Sequence, residues 1–156
     1  MKTKALIITL LVGCIAMKGM TQDASAQRTK EYNLEENVAI MGYDPVTYFF
    51  LNKAVKGKKE LSYTYQGVIY RFSNGASLEE FKKHPAKYEP EYGGWCAYAM
   101  GAKGEKVSID PQTFKIINGK LYLFYNSFFN NTLKSWNKDE AALKSKADVN
   151  WHKIYH

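Results

Sequence analysis

The most regular patterning in the chain lies in "LSYTYQGVIYRFS", Leu61 to Ser73. Leu61, Tyr63 and Tyr65 alternate with polar residues, Gln66-Gly67 turns the chain, and Val68, Tyr70 and Phe72 alternate back. Period-two alternation on both sides of a glycine-containing pair predicts a β-hairpin with one buried face. "FKII" and "KLYLFY" repeat the device around Asn118-Gly119, the strongest hairpin signal in the sequence, and "KVSID" reads as a further short strand ahead of them. Helical signals fall between and after. Ser77 with Glu80 three residues on forms a capping box that predicts a helix through "SLEEFKKH", ended by Pro85. Asp44-Pro45 opens a short helix through Phe50, with the carboxylate as cap. "WCAYAM" reads as another short helix before the glycines at 101 and 104, and the tail from Ser127 to His156 suits two helices meeting near Asn137. Asp110 before Pro111 predicts a turn. The pattern is that of an α+β fold: a small single domain with two β-hairpins, several short helices and a helical C-terminal tail. The polar stretch 27–37 is expected to be a flexible lead, and residues 38–156 the folded domain.

The N-terminus changes the picture of where this domain resides. "MKTK" is basic, "ALIITLLVGCIAM" is a short apolar run, and "ASA" supplies small residues before Gln27. That order describes a secretory signal over residues 1–26, so the chain is expected to be periplasmic or secreted. The apolar run is shorter than the ~20 residues a bilayer span requires. "LVGC" offers an alternative, a lipobox in which Cys14 is lipidated and anchors the protein to a membrane. The apolar "IAMKGM" that follows argues for cleavage after Ala26.

Charge and composition exclude more than they assign. The net charge of +7 is spread along the chain, with its densest cluster in "KAVKGKK", Lys53 to Lys59. Nucleic-acid binding would need a concentrated basic stripe, and none is present. Aromatic residues make up 15% of the chain and chiefly supply buried area. Without Cys14, Cys96 has no partner for an intramolecular disulfide, so the core alone is expected to hold the fold.

Three stretches in order, "GYDPVTYF", "YQGVIYRFS" and "FKKHPAKYEPEYGGWCAYAM", together resemble the YHS domain. The later "DPQTFKIINGKLYLFYN" and "WNKD…ADVNW" are similar to the exported, single-domain branch of that family, and the resemblance spans about Val38 to Trp151. It implies a compact α+β unit of a kind often associated with metal handling. The thiols of metal-associated members, aligned on Asp44-Pro45-Val46, Phe72 and Phe81, fall on or near Thr47, Ser73 and Ser77. Neutral hydroxyls are poor ligands for zinc or copper(I), so the family's usual metal site does not carry over.

Cys96 is the remaining chemical question. Cys96 and Met100, four apart, share one helix face, and with His84 they would form a donor set suited to copper(I). The same spacing describes two core residues, and a chain with no cofactor is the simpler expectation. A redox thiol would need a depressed pKa and a resolving partner, and no Cys-x-x-Cys occurs. As packing, Cys96 is a small residue beside Trp95, Tyr98 and two glycines. A buried hydroxyl at this position without a partner would then cost more stability than alanine. No catalytic residue is assigned. Glu89 and Glu91 flank Pro90 without a completing constellation, and His152 and His156 lie near a chain end. A ligand pocket, if built, is expected from Tyr43, Asp44, Tyr92 and Tyr98 near His84 and Cys96.

The function expected is therefore an exported, non-catalytic binding or accessory protein that takes a metal ion, a small ligand or a periplasmic protein partner. The alternatives are a thiol-dependent redox enzyme using Cys96 and a purely structural interaction domain. Membrane association is expected only through a lipid on Cys14. Intact mass of the exported form checks the processing: a chain beginning at Gln27 is expected, and a lipid-bearing mass starting at Cys14 would reverse that reading.

Overall fold

The structure, a computed structural model, describes residues 23–156. Residues 1–22 of the expected 1–26 leader, with Cys14, lie outside the described residues, and the Ala26–Gln27 bond falls within a helix, α1, over 23–31. Short strands β1 (Leu34–Glu35) and β2 (Val38–Ala39) follow, then the four-residue helix α2 (Thr47–Phe50). The first hairpin, β3 (Lys58–Tyr65) and β4 (Val68–Phe72), leads into α3 (Gly75–Lys83) and α4 (Pro85–Tyr88). Helix α5 (Ala97–Lys103) precedes the second hairpin, β5 (Asp110–Ile117) and β6 (Lys120–Phe124). A third, very short hairpin, β7 (Asn126–Ser127) and β8 (Asn130–Asn131), then gives way to α6 (Thr132–Trp136) and α7 (Glu140–Tyr155).

This is the α+β architecture the pattern predicts, and the two long hairpins form at the expected turns. Gln66-Gly67 and Asn118-Gly119 both place consecutive residues at positive φ, the geometry of a two-residue turn that matches strand twist. Strand β4 sits centrally in a sheet of order β1-β2-β4-β3, antiparallel to β3 and parallel to β2. Its inward residues Val68, Tyr70 and Phe72 are buried, and Phe81 of α3 packs its ring on Tyr70 and Phe72 at centroid distances of 4.7 and 5.2 Å.

A second core forms where α5 crosses α7 against β6, with Met100, Tyr122, Phe124, Trp136 and Ala147 all buried. Gly101 makes that crossing close. A Cβ there would lie 2.4 Å from the Leu143 carbonyl oxygen, so any side chain forces the helices apart.

Four local expectations require correction. Helix α3 starts three residues early because the Asn74 side chain, at 3.0 Å, takes the Ser77 backbone N–H, so Asn74 and not Ser77 is the cap. "KVSID" forms no strand: Val107 gives only its carbonyl to the Cys96 N–H, and pairing with β6 begins at Asp110. The tail forms its two helices, but the β7–β8 hairpin intervenes at its start.

The fourth is the lead. Residues 27–31 continue α1, and the segment is docked instead of loose. Arg28 is buried and pairs through its guanidinium with Glu89, which also accepts the Tyr70 hydroxyl. Burial alone would lower the Arg28 pKa, but the hydrogen bond and charge of Glu89 outweigh it and raise it. Trp95 Nε1 donates to the Glu31 carbonyl at 2.7 Å, and the Tyr32 ring packs on Trp151 and Tyr155 of α7. The Gln27 amide reaches the Tyr155 carbonyl, so the first and last described helices meet.

A buried ion pair is costly to break from one side because the survivor is left uncompensated. Arg28→Met is expected to lower stability by about 3–5 kcal/mol in urea melts. A loss near zero would mean that the aromatic contacts of α1 suffice to dock it.

Candidate functional site

Helices α2 and α3 face one another across a groove of about 370 Å³. Val46, Thr47, Phe50 and Leu51 form one wall, and Asn74, Ala76, Ser77 and Glu80 form the other. Phe50 and Leu51 are 64% and 60% exposed, so the lip is apolar and open. Thr47 and Ser77 are buried beneath it.

Asp44 holds the walls together. It has no exposed surface, and both its oxygens are used. Oδ1 accepts the Val46 N–H at 2.9 Å, and Oδ2 accepts the Ser73 N–H at 2.8 Å and the Ser73 hydroxyl at 2.7 Å. The Thr47 hydroxyl donates back to the Asp44 carbonyl at 2.9 Å. Of the three hydroxyl residues marked in the sequence, Thr47 and Ser77 therefore line the groove, while Ser73 locks the carboxylate that sets its width. Glu80 is the one charged residue lining the groove, and the Lys87 ammonium lies 5.9 Å from the Phe50 ring centroid. The Tyr88 hydroxyl donates to Glu80 at 2.6 Å and holds its carboxyl below the usual range, so it is an anion at neutral pH.

Cys96 lies elsewhere, beside a smaller cavity of about 250 Å³ that Tyr98, Tyr125 and Thr132 also line. The thiol is buried and its hydrogen bonding is complete. Its sulfur accepts the Tyr125 N–H at 3.3 Å and lies 3.4 Å from the Thr132 hydroxyl. That hydroxyl gives its only hydrogen to the Tyr125 carbonyl at 2.8 Å, so the thiol must be the donor to Thr132.

The remaining candidates are dispersed. Tyr43 bridges to Lys56, whose ammonium sits 4.7 Å from its ring centroid. Tyr92 is buried in the α5–α7 core, its hydroxyl donates to Asp148 at 2.8 Å, and burial followed by that bond raises its pKa well above the phenol range. Tyr98 reaches both cores. His84 is exposed at the end of α3, whereas the Met100 side chain is buried in the core around Trp136. The copper(I) donor set does not fit: Cys96 belongs to the core around Phe72 and Phe81, apart from Met100, and its sulfur is engaged. No group of three or more His, Cys, Asp or Glu among the described residues is placed to hold a metal ion. Glu89 is bound to Arg28, and Glu91 pairs with Lys120 at 3.1 Å.

The groove residues Phe50, Leu51, Asn74, Ala76 and Glu80 were not marked as a site by the sequence. Its one usable signal was the adjacency of polar caps to exposed apolar residues. Comparison with protein-family models, curated proteins and solved structures returned no match.

The partners of Cys96 reverse the expected order of its substitutions. Serine can keep bonds to Tyr125 and Thr132, whereas alanine strands the Tyr125 N–H. Cys96→Ala is expected to cost ~1–3 kcal/mol and Cys96→Ser less, as measured by thermal or urea melts. Alkylation of the native protein should be slow, and rapid labelling would show that the cavity exposes the sulfur.

Proposed function

We propose that this protein is an exported, non-catalytic binding module of YHS-like type whose ligand is a small molecule held between α2 and α3. The observation that carries this reading is the groove itself. Two buried hydroxyls, an open apolar lip and one anionic carboxylate face a single space on a frame fixed by Asp44. Pockets for small ligands combine this kind of apolar wall with a few convergent polar groups. The resemblance puts soft-metal thiolates where Thr47, Ser73 and Ser77 stand. Hydroxyls there favour hydrogen bonding to an organic ligand over metal capture. The ligand class is a compact molecule with an apolar body for Phe50 and Leu51 and a cationic or hydrogen-bond-donating end for Glu80. A redox reading is disfavoured by the buried, fully bonded thiol of Cys96.

Benzylamine, an aromatic ring bearing one cation, probes this chemistry. In amide NMR titrations it is expected to shift residues 46–51 and 74–80, and Ala76→Trp, which fills the groove, should abolish the response. Shifts elsewhere, or none, would reject the site. The pH dependence follows from Glu80, whose carboxyl the Tyr88 hydroxyl holds below its usual range. Affinity should hold from neutral into mildly acidic pH and fall only as that carboxyl protonates.

A further inference from the structure

The β7–β8 hairpin carries Phe128 and Phe129 as its two loop residues, and both rings are fully exposed, at 99% and 105%. Phe128 holds φ at +45°, a left-handed conformation that glycine or asparagine normally occupies. An aromatic residue there raises the cost of the turn while adding nothing to the core. Persistent local strain of this kind is characteristic of functional positions. The flanking residues Asn126, Ser127, Asn130 and Asn131 are neutral amides and a hydroxyl, so the tip is a convex apolar point on an uncharged stem.

The chain on either side of it is basic. From Pro111 to Lys138 the sequence contains four lysines and no aspartate or glutamate. Lys115 and Lys120 are paired, with Glu140 and Glu91. Lys134 and Lys138, exposed on and just after the helix that follows the hairpin, form no ion pair among the described residues. Of the acids closest to the hairpin, Asp110 accepts from Asn126 at 3.4 Å at its base, and Glu105 is 4.0 Å from Lys103, which lines a cavity with Asn130. Asp139 follows Lys138 in the chain.

We infer that this hairpin is a membrane-surface anchor: Phe128 and Phe129 enter the headgroup–acyl boundary of an anionic bilayer while Lys134 and Lys138 contact the headgroups. Aromatic rings gain most at that boundary, and lysines near an anionic surface add attraction that salt screens. A convex apolar tip followed by two lysines without ion-pair partners among the described residues suits a fluid, anionic surface better than a preformed protein groove. No helix among the described residues is long and apolar enough to cross a membrane, so the contact is peripheral. It is independent of a lipid on Cys14.

The test uses the full chain with Phe129→Trp, a fully exposed position where a larger ring meets no neighbour, with a melt to confirm folding. Vesicles of phosphatidylglycerol should blue-shift the added tryptophan emission, and brominated lipid should quench it. Vesicles of phosphatidylcholine should give a much weaker response. Phe128→Ser/Phe129→Ser should weaken vesicle affinity by roughly tenfold or more, and added salt should weaken the wild type. A tryptophan that stays solvent-like with both lipids overturns the inference and leaves the tip to a soluble protein. An equal response to both lipids overturns the role of the lysines.

Discussion

A carboxylate removed from water must find donors within the protein, and Asp44 does so by joining the turn before α2 to the end of β4. One oxygen takes an amide from the turn entering α2, and the other takes both donors of Ser73 at the end of β4. An unmet acceptor at this depth would be heavily penalised, so the distance between the two segments has little freedom. Asn74, the next residue, caps α3. Asp44 thus ties together the starts of the two helices that bound the groove, while Tyr88 spans their far side, packing on Phe49 and Phe50 and donating to Glu80.

That arrangement also determines what kind of recognition the groove can perform. Hydroxyls at Thr47 and Ser77 keep their protons throughout the physiological range, whereas thiols in the same places would ionise on meeting a soft cation. Glu80 is the one charged residue lining the groove, with the Lys87 ammonium 5.9 Å from the Phe50 ring at its lip, and selectivity depends on shape and on where a positive or donating group falls.

Legibility in the sequence tracked the range of the interactions. Both long hairpins were readable because alternation and turn residues are local, and Gln66-Gly67 and Asn118-Gly119 lie where that pattern puts them. Asp44 was expected to cap α2, but the cap position is Val46, with no side-chain bond, and of the carboxylate's bonds only the local one to the Val46 amide was readable. The bond to Ser73, 29 positions away, was not. Arg28 sits in a polar stretch and looked solvent-bound because its partner Glu89 lies 61 positions on. Cys96 gave the same difficulty, since its completing partner Thr132 is 36 positions distant. The aromatic pair at 128–129 was absorbed into an expected helix, because nothing in composition distinguishes rings that face a core from rings that face solvent.

The meeting of α1 with α7 bears on the order in which the molecule is assembled. Gln27 and Tyr155 are separated by 128 positions, and Tyr32 rests on the same last turns. A chain is made from its N-terminus, yet α1 has no complete seat until the residues of α7 around Trp151 and Tyr155 have been made. Contacts of such long separation are closed late, after the nearer hairpins have formed. The docking of α1 is therefore the step that waits longest, and the order in which the fold is completed is set by the path of the chain itself.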